Sequence, residues 1–124
     1  MIDRLLDSVV LIDHFNNIPA ASSWLSALEP EKTAISVISY AEILVGIPDR
    51  EKDTVKALLH QYTVFALDIK ISELAADLRK QYRWKLPDSF QAAIAMYYRI
   101  RLVTRNTKDF DPEKHSFVEV PYSI

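Results

Sequence analysis

Five polar residues, Asp7, Glu42, Asp88, Asn106 and Asp109, stand where an apolar segment ends or a helix begins, and their types suit hydrolysis of a phosphate ester. Asp7 follows the apolar run Leu5-Leu6, Glu42 lies early in a helix-forming stretch, and Asp88 follows Pro87 at the start of another. Asn106 and Asp109 come just after Leu102-Val103-Thr104. Carboxylates brought together repel one another and raise each other's pKa unless a cation compensates. Mg2+ and Mn2+ are the natural compensators: they take oxygen ligands, and Mg2+ commonly uses one or two carboxylates while keeping waters for substrate phosphates. An ion so held acidifies a water and steadies charge on a phosphoryl oxygen, so convergence of these acids predicts metal-assisted phosphodiester hydrolysis. Taken singly, each has a plainer role: shaping a turn at Asp7, complementing a helix dipole at Glu42 and Asp88.

Convergence needs a particular topology, and the apolar pattern supplies one. Strands are expected up to Asp7, over Thr33 to Ile38, Thr63 to Leu67 and Leu102 to Thr104, and again over Phe117 to Val120. Between them the spacing predicts a helical turn after Asp7, a helix over Ala21 to Leu28 stopped by Pro30, and one capped by Ser39 that ends at Gly46 and Pro48. Val55, Leu58, Leu59 and Tyr62 mark a helix over Asp49 to Tyr62; Ile71, Leu74, Ala75 and Leu78 mark one over Ile71 to Arg83. Phe90 to Ile100, opened by Pro87, carries the small residues Ala92, Ala93 and Ala95 that permit close packing. Strands alternating with helices argue for an α/β fold: a central parallel sheet of four or five strands with helices on both faces. Ligands then sit beyond the carboxyl ends of the strands, where all five polar residues would project.

Composition agrees with this class. The chain has 124 residues, 49% hydrophobic and 26% charged, as expected of one globular domain over 1–124. It has no cysteine, which excludes disulfides, thiol nucleophiles and cysteine-based zinc sites, and suits a reducing cytoplasm. His14, His60 and His115 are too scattered for a local metal motif, Met1 to Asp7 does not read as a signal peptide, and no membrane span is expected. Net charge is -2, but residues 79 to 108 carry +7 and the remainder -9. Such asymmetry is a footprint for a polyanion, or merely solvated helix faces.

Four segments then resemble a known family, in order and over nearly the whole chain. Leu5-Leu6-Asp7-Ser8-Val9-Val10-Leu11-Ile12-Asp13, Ile38-Ser39-Tyr40-Ala41-Glu42-Ile43, Leu86-Pro87-Asp88-Ser89-Phe90-Gln91-Ala92-Ala93 and Leu102-Val103-Thr104-Arg105-Asn106-Thr107-Lys108-Asp109-Phe110 look like the successive motifs of PIN domains. The VapC-type toxins of prokaryotic toxin-antitoxin pairs are the nearest likeness. The resemblance implies a three-layer sandwich and a cytoplasmic Mg2+- or Mn2+-dependent endoribonuclease, with RNA as substrate, a small antitoxin as partner and a homodimer as assembly. It also implies that Asp7 and Asp88 touch the metal, Glu42 orients or deprotonates a water, and Asn106 hydrogen-bonds to such a water. Ser8 and Thr104 would support the acids through their hydroxyls. Asp109 either joins the site or caps a turn. Within the basic window Arg105 and Lys108 are expected to meet phosphates, whereas Arg79, Lys80 and Arg83 face solvent. Trp84, Tyr97 and Tyr98 could stack on bases, although core or dimer contact suits the two tyrosines better. Asp13 has no assigned role.

Two departures from the pattern stand out: Val9 replaces a polar residue, and Asn106 replaces a frequent aspartate. They favour the alternative of a PIN-like module that binds RNA or protein without cutting; a third reading makes the acids plain surface charge on an interaction protein. An aspartate-nucleophile phosphatase would need a second aspartate at position 9, and a receiver domain would need adjacent acids early in the chain; neither is present.

Overall fold

The computed structural model describes all residues, Met1–Ile124. Five strands, β1 (Arg4–Leu6), β2 (Thr33–Ser36), β3 (Thr63–Phe65), β4 (Arg101–Val103) and β5 (Val118–Glu119), form one sheet in the order β3-β2-β1-β4-β5. Every pairing is parallel, with Leu5 opposite both Ala34 and Leu102. Six helices complete the fold: α1 (Ser8–Phe15), α2 (Pro19–Ser26), α3 (Val37–Val45), α4 (Lys52–Leu59), α5 (Ile69–Tyr82) and α6 (Leu86–Tyr98).

The alternation of side chains along each strand divides the core in two. Leu5, Ala34 and Leu102 point to one face and pack with Ile71, Ala75 and Leu78 of α5 and Ala92, Ala93, Ile94 and Ala95 of α6. Leu6, Ile35 and Val103 point to the other, against Val10 and Leu11 of α1, Ile43 of α3 and Val55 and Leu59 of α4. Most of these side chains are fully buried, and each such Leu or Ile contributes about 1.5–3 kcal/mol by leaving water. The chain leaves β1 toward β2 and β3, then returns past β1 to reach β4. Crossovers of one hand running in opposite directions put α1 to α4 on one face and α5 and α6 on the other. The carboxyl end of β1, where the direction of winding reverses, is therefore a crevice open to ligands.

Local signals explain the element ends. Ser36 caps α3 by accepting from the N–H of Ser39 at 3.1 Å, so the strand stops two residues short of Ile38 and Ser36, rather than Ser39, is the cap. Asp68 caps α5 in the same way, at 2.9 Å from the N–H of Ile71. Pro19 opens α2 and Pro87 stands in the first turn of α6, where a missing N–H costs nothing. The stretch after Pro48 begins as a 3-10 turn over Asp49–Glu51, and α4 proper ends at Leu59, earlier than the apolar stripe suggests. Asp7 is followed by a full helix instead of a turn, β3 and β5 are shorter than their apolar runs, and β4 keeps its three residues but begins one position earlier, at Arg101.

Candidate active site

Asp7 leaves the carboxyl end of the central strand and stands as the N-cap of α1, yet its side chain makes no capping bond. The carboxylate turns instead to the end of β4, where Oδ2 accepts from Thr104 Oγ1 at 2.7 Å. Thr104 is fully buried and its oxygen also accepts from the N–H of Asn106 at 3.0 Å. One hydroxyl thus fixes both Asp7 and the first turn of the loop that carries Asn106. Burial holds the Asp7 carboxyl above its ordinary range, opposed only by Thr104, the Ser8 N–H and hydroxyl, and Gln91. All of these donors are neutral.

Asp88 lies half-buried in the first turn of α6. Burial, followed by the charges of Asp7, Asp109 and Glu42, pushes its carboxyl up to about 6, with Lys85 in opposition. The same order ranks the acids around it: Asp109 weighs on Asp88 more than Glu42, which is exposed on the second turn of α3. Asp109 is half-buried, and its Oδ2 accepts from Asn106 Nδ2 at 3.2 Å. The structure therefore brings Asp7, Asp88, Asn106 and Asp109 together, with Glu42 at the margin.

A residue without an assigned role from the sequence completes this rim. Gln91 lies one turn beyond Asp88, 2% exposed, and its Nε2 donates to the buried hydroxyl of Ser39. Its Oε1 is buried without any partner. An orphaned acceptor costs about 1–3 kcal/mol and in a native site awaits a donor such as an ordered water. The only cue in the sequence is a polar residue at the spacing of the buried alanines of α6.

As the side chains stand, no three acids or histidines close tightly enough around one point to cage an ion. What they offer is a pair of uncompensated carboxylates, Asp7 and Asp88, flanked by amide and carboxylate oxygens. That donor set fits an oxygen-seeking divalent ion held by one or two carboxylates and completed by waters.

Arg105 departs from expectation. Its Nε and Nη2 donate to the two oxygens of Asp13 at 2.8 and 3.0 Å, and Tyr122 donates its hydroxyl to the same carboxylate at 2.9 Å. The two Arg105 bonds tie the guanidinium to Asp13, and Lys85 and Lys108, both exposed and without an ion pair, are the unpaired cations beside the rim. Arg79 donates to the carbonyl of Trp84 and so braces the α5–α6 connection, while Arg83 ends α5 in the left-handed region at φ 61°. Trp84 is 4% exposed, leaving no open ring face for a base. Tyr98 stacks on Phe65 at 4.8 Å and Tyr97 packs edge-on to Tyr98, both still exposed on their outer sides. Val9 packs against the core of α1 to α4, where no polar group is needed.

The profile of the PIN domain family matches residues 4–111. Ribonuclease VapC10 of Mycobacterium tuberculosis is 36% identical over 112 residues, which cover 86% of this chain and 84% of that protein. Among solved structures, a toxin-antitoxin complex from Klebsiella pneumoniae contains a chain with a TM-score of 0.90 and 34% identity, covering 98% of this chain and 100% of that one. FitAcB from Neisseria gonorrhoeae shares the fold at 21% identity, with a TM-score of 0.81 over 98% of this chain and 99% of that one. Acid rim, parallel five-stranded sheet and family profile agree: the chain belongs to the PIN domain family.

Proposed function

We propose that this chain, as a single PIN domain over residues 1–124, is a divalent-metal-dependent endoribonuclease that hydrolyses RNA phosphodiester bonds. The observation that carries the reading is the pair of Asp7 and Asp88, neither of which forms an ion pair, with the Asp88 carboxyl pushed up to about 6 by burial and neighbouring acids against the opposition of Lys85. Asp7 and Asp88 would hold Mg2+, or Mn2+ in its place. Bound there, the ion would supply Lewis-acid stabilisation of phosphoryl charge and a more acidic water.

The chain's own residues do the positioning. Thr104 holds the carboxylate of Asp7, and Asp109 holds the amide of Asn106. Glu42, exposed at the margin, would take up or orient a proton of the attacking water. Gln91 Oε1 would accept from a water at the floor. Lys108 would draw RNA phosphates to the rim.

The likeness to a VapC ribonuclease and to a toxin-antitoxin complex supports the role of toxin in a VapBC-type pair, with a cognate antitoxin as partner. Met96, Tyr97 and Tyr98, exposed at the end of α6, are an apolar surface suited to a homodimer contact. No helix is long and apolar enough to cross a membrane, and an RNA substrate would suit a cytoplasmic protein.

Purified protein incubated with mixed RNA in Mg2+, Mn2+ or EDTA tests the reading, with Asp88→Ala as the control for contaminating nuclease. Cleavage should require both the metal and Asp88. No cleavage with either metal would sink it and leave a PIN-like binding module in its place.

A further inference from the structure

Beside the acid rim lies a cavity of about 490 Å3 that the proposed chemistry does not use. Its walls are Tyr82 at the end of α5, Trp84 in the α5–α6 connection, and Lys108, Asp109, Asp111, Lys114 and His115 from the segment after β4. Asp109 is the wall it shares with the rim: its carboxylate accepts from Asn106 on one side, and its carbonyl accepts from the Trp84 indole at 3.1 Å on the other. A group in the cavity is therefore a direct neighbour of the acids.

The aromatic wall is built to stay open. Tyr82 lies nearly parallel to Trp84, with centroids 4.4 Å apart and planes 15° from each other, while His115 meets both rings edge-on. Phe110 backs Trp84 at 4.8 Å. Trp84 is buried, yet Tyr82 is 41% exposed, so the stack ends on a ring supported from behind and presented to solvent. The carbonyl of Trp84 is held by Arg79, and the backbone of Asp111 accepts from the N–H groups of both Lys114 and His115, which fixes the turn that lines the opposite wall. Neither Lys108 nor Lys114 forms an ion pair.

The cavity sets two free ammonium groups against the carboxylates of Asp109, which is turned to Asn106, and Asp111; with a flat aromatic face and a volume within the roughly 300–1,000 Å3 of small-ligand sites, it suits one nucleotide, its base on the ring and its phosphate at the lysines. The strand must be single, because a base inside a duplex has no free face to offer. We propose that this cavity is a nucleotide subsite, in which a base of single-stranded RNA stacks on Tyr82 while its phosphate meets Lys108 and Lys114. The subsite rests on the nuclease reading for its purpose: it would hold a nucleotide flanking the bond to be cut.

The test is binding to wild-type protein in EDTA of two labelled probes, a short mixed-sequence single-stranded RNA and an abasic ribose-phosphate strand of equal length. Wild type should prefer the base-bearing strand by about tenfold. Tyr82→Ala should lose that preference and bind the abasic strand as before, whereas Tyr82→Trp should keep it. Lys108→Ala with Lys114→Ala should weaken both strands alike and reduce the slope of log affinity against log salt by about 1.4. Equal affinities of wild type and Tyr82→Ala for the base-bearing strand would overturn the proposal, as would an equal loss on both probes. If Tyr82→Ala fails to fold, Tyr82→Trp and the lysine pair decide the same question. Cleavage of the same RNA in Mg2+ reports the parent reading separately. Cleavage without any effect of Tyr82 overturns the subsite alone; base-dependent binding without cleavage overturns the nuclease and supports the base site.

Discussion

Helix α1 begins at one buried carboxylate and carries another six residues along, and the fold treats them oppositely. Asp7 is 8% exposed and Asp13 6%. Asp13 receives a two-pronged bond from Arg105 and a third from Tyr122, and these hold its carboxyl below the ordinary range in spite of burial. Asp7 receives only neutral donors, and burial wins. Both acids are tied to the same stretch after β4, Asp7 through Thr104 and Asp13 through the next residue. The chain thus has a cation at hand for one acid and withholds it from the other. A buried carboxylate whose partner is built in serves architecture, and one left uncompensated marks where something from outside belongs.

The contrast makes graded predictions. Asp7→Asn should abolish metal-dependent RNA cleavage, by a factor on the order of a thousand or more, since several kcal/mol of charge stabilisation are lost. Thermal melting should show its stability unchanged or raised, because an uncompensated buried charge has been removed. Asp13→Ala should do the reverse. Breaking a fully buried pair costs about 3–5 kcal/mol; with the Arg105 side chain 33% exposed, a loss of about 2 kcal/mol in urea unfolding is expected, and catalysis should survive wherever the variant is folded.

Tyr122→Phe removes one hydrogen bond from the same carboxylate and should cost about 1 kcal/mol by the same measurement. The smallest effect is in the pH profile of the melting temperature. Asp13 is lowered from 3.8, so its contribution is complete above that value and is lost as pH falls through its folded pKa. Tyr122 is raised from 10.0, by burial first and then by its bond to Asp13, so its contribution is complete below that value and is lost as pH rises through its own. Asp13→Asn should therefore flatten the acid limb of the profile, and Tyr122→Phe the alkaline limb. An unaltered acid limb in Asp13→Asn would show that Asp13 is no better stabilised than a surface acid.

The sequence is informative about whatever repeats locally. Leu5 and Leu6, Ala34 and Ile35, and Leu102 and Val103 alternate between two cores, which made a helix-covered parallel sheet readable from apolar runs. Asp7, Asp88 and Asn106 were readable because each sits at the end of a strand or the start of a helix. Partner choice across the chain leaves no such trace. Arg105 finds Asp13 over a separation of 92 residues and Trp84 finds Asp109 over 25, so a count of basic residues took Arg105 as free and a list of aromatics took Trp84 as open. Gln91 was missed because it stands in an otherwise apolar run from Phe90 to Ala95, and only the packed structure shows its carbonyl oxygen stranded. Ser39 read as the cap and Ser36 as part of the strand; the structure ends the strand at Ser36, whose hydroxyl takes the cap from the N–H of Ser39.

The central place of β1 also bears on how the chain comes to life during synthesis. Its neighbours are β2, made soon after, and β4, which is followed directly by Thr104, 97 positions beyond Asp7. A nascent chain emerging N-terminus first therefore carries Asp7 for most of translation with one side of β1 unpaired and no hydroxyl to fix the carboxylate. Such long-range pairing is slow to form, since loop closure precedes the reward of contact. The rim can assemble only when the residues after β4 have left the ribosome, so the proposed site is incomplete for most of synthesis.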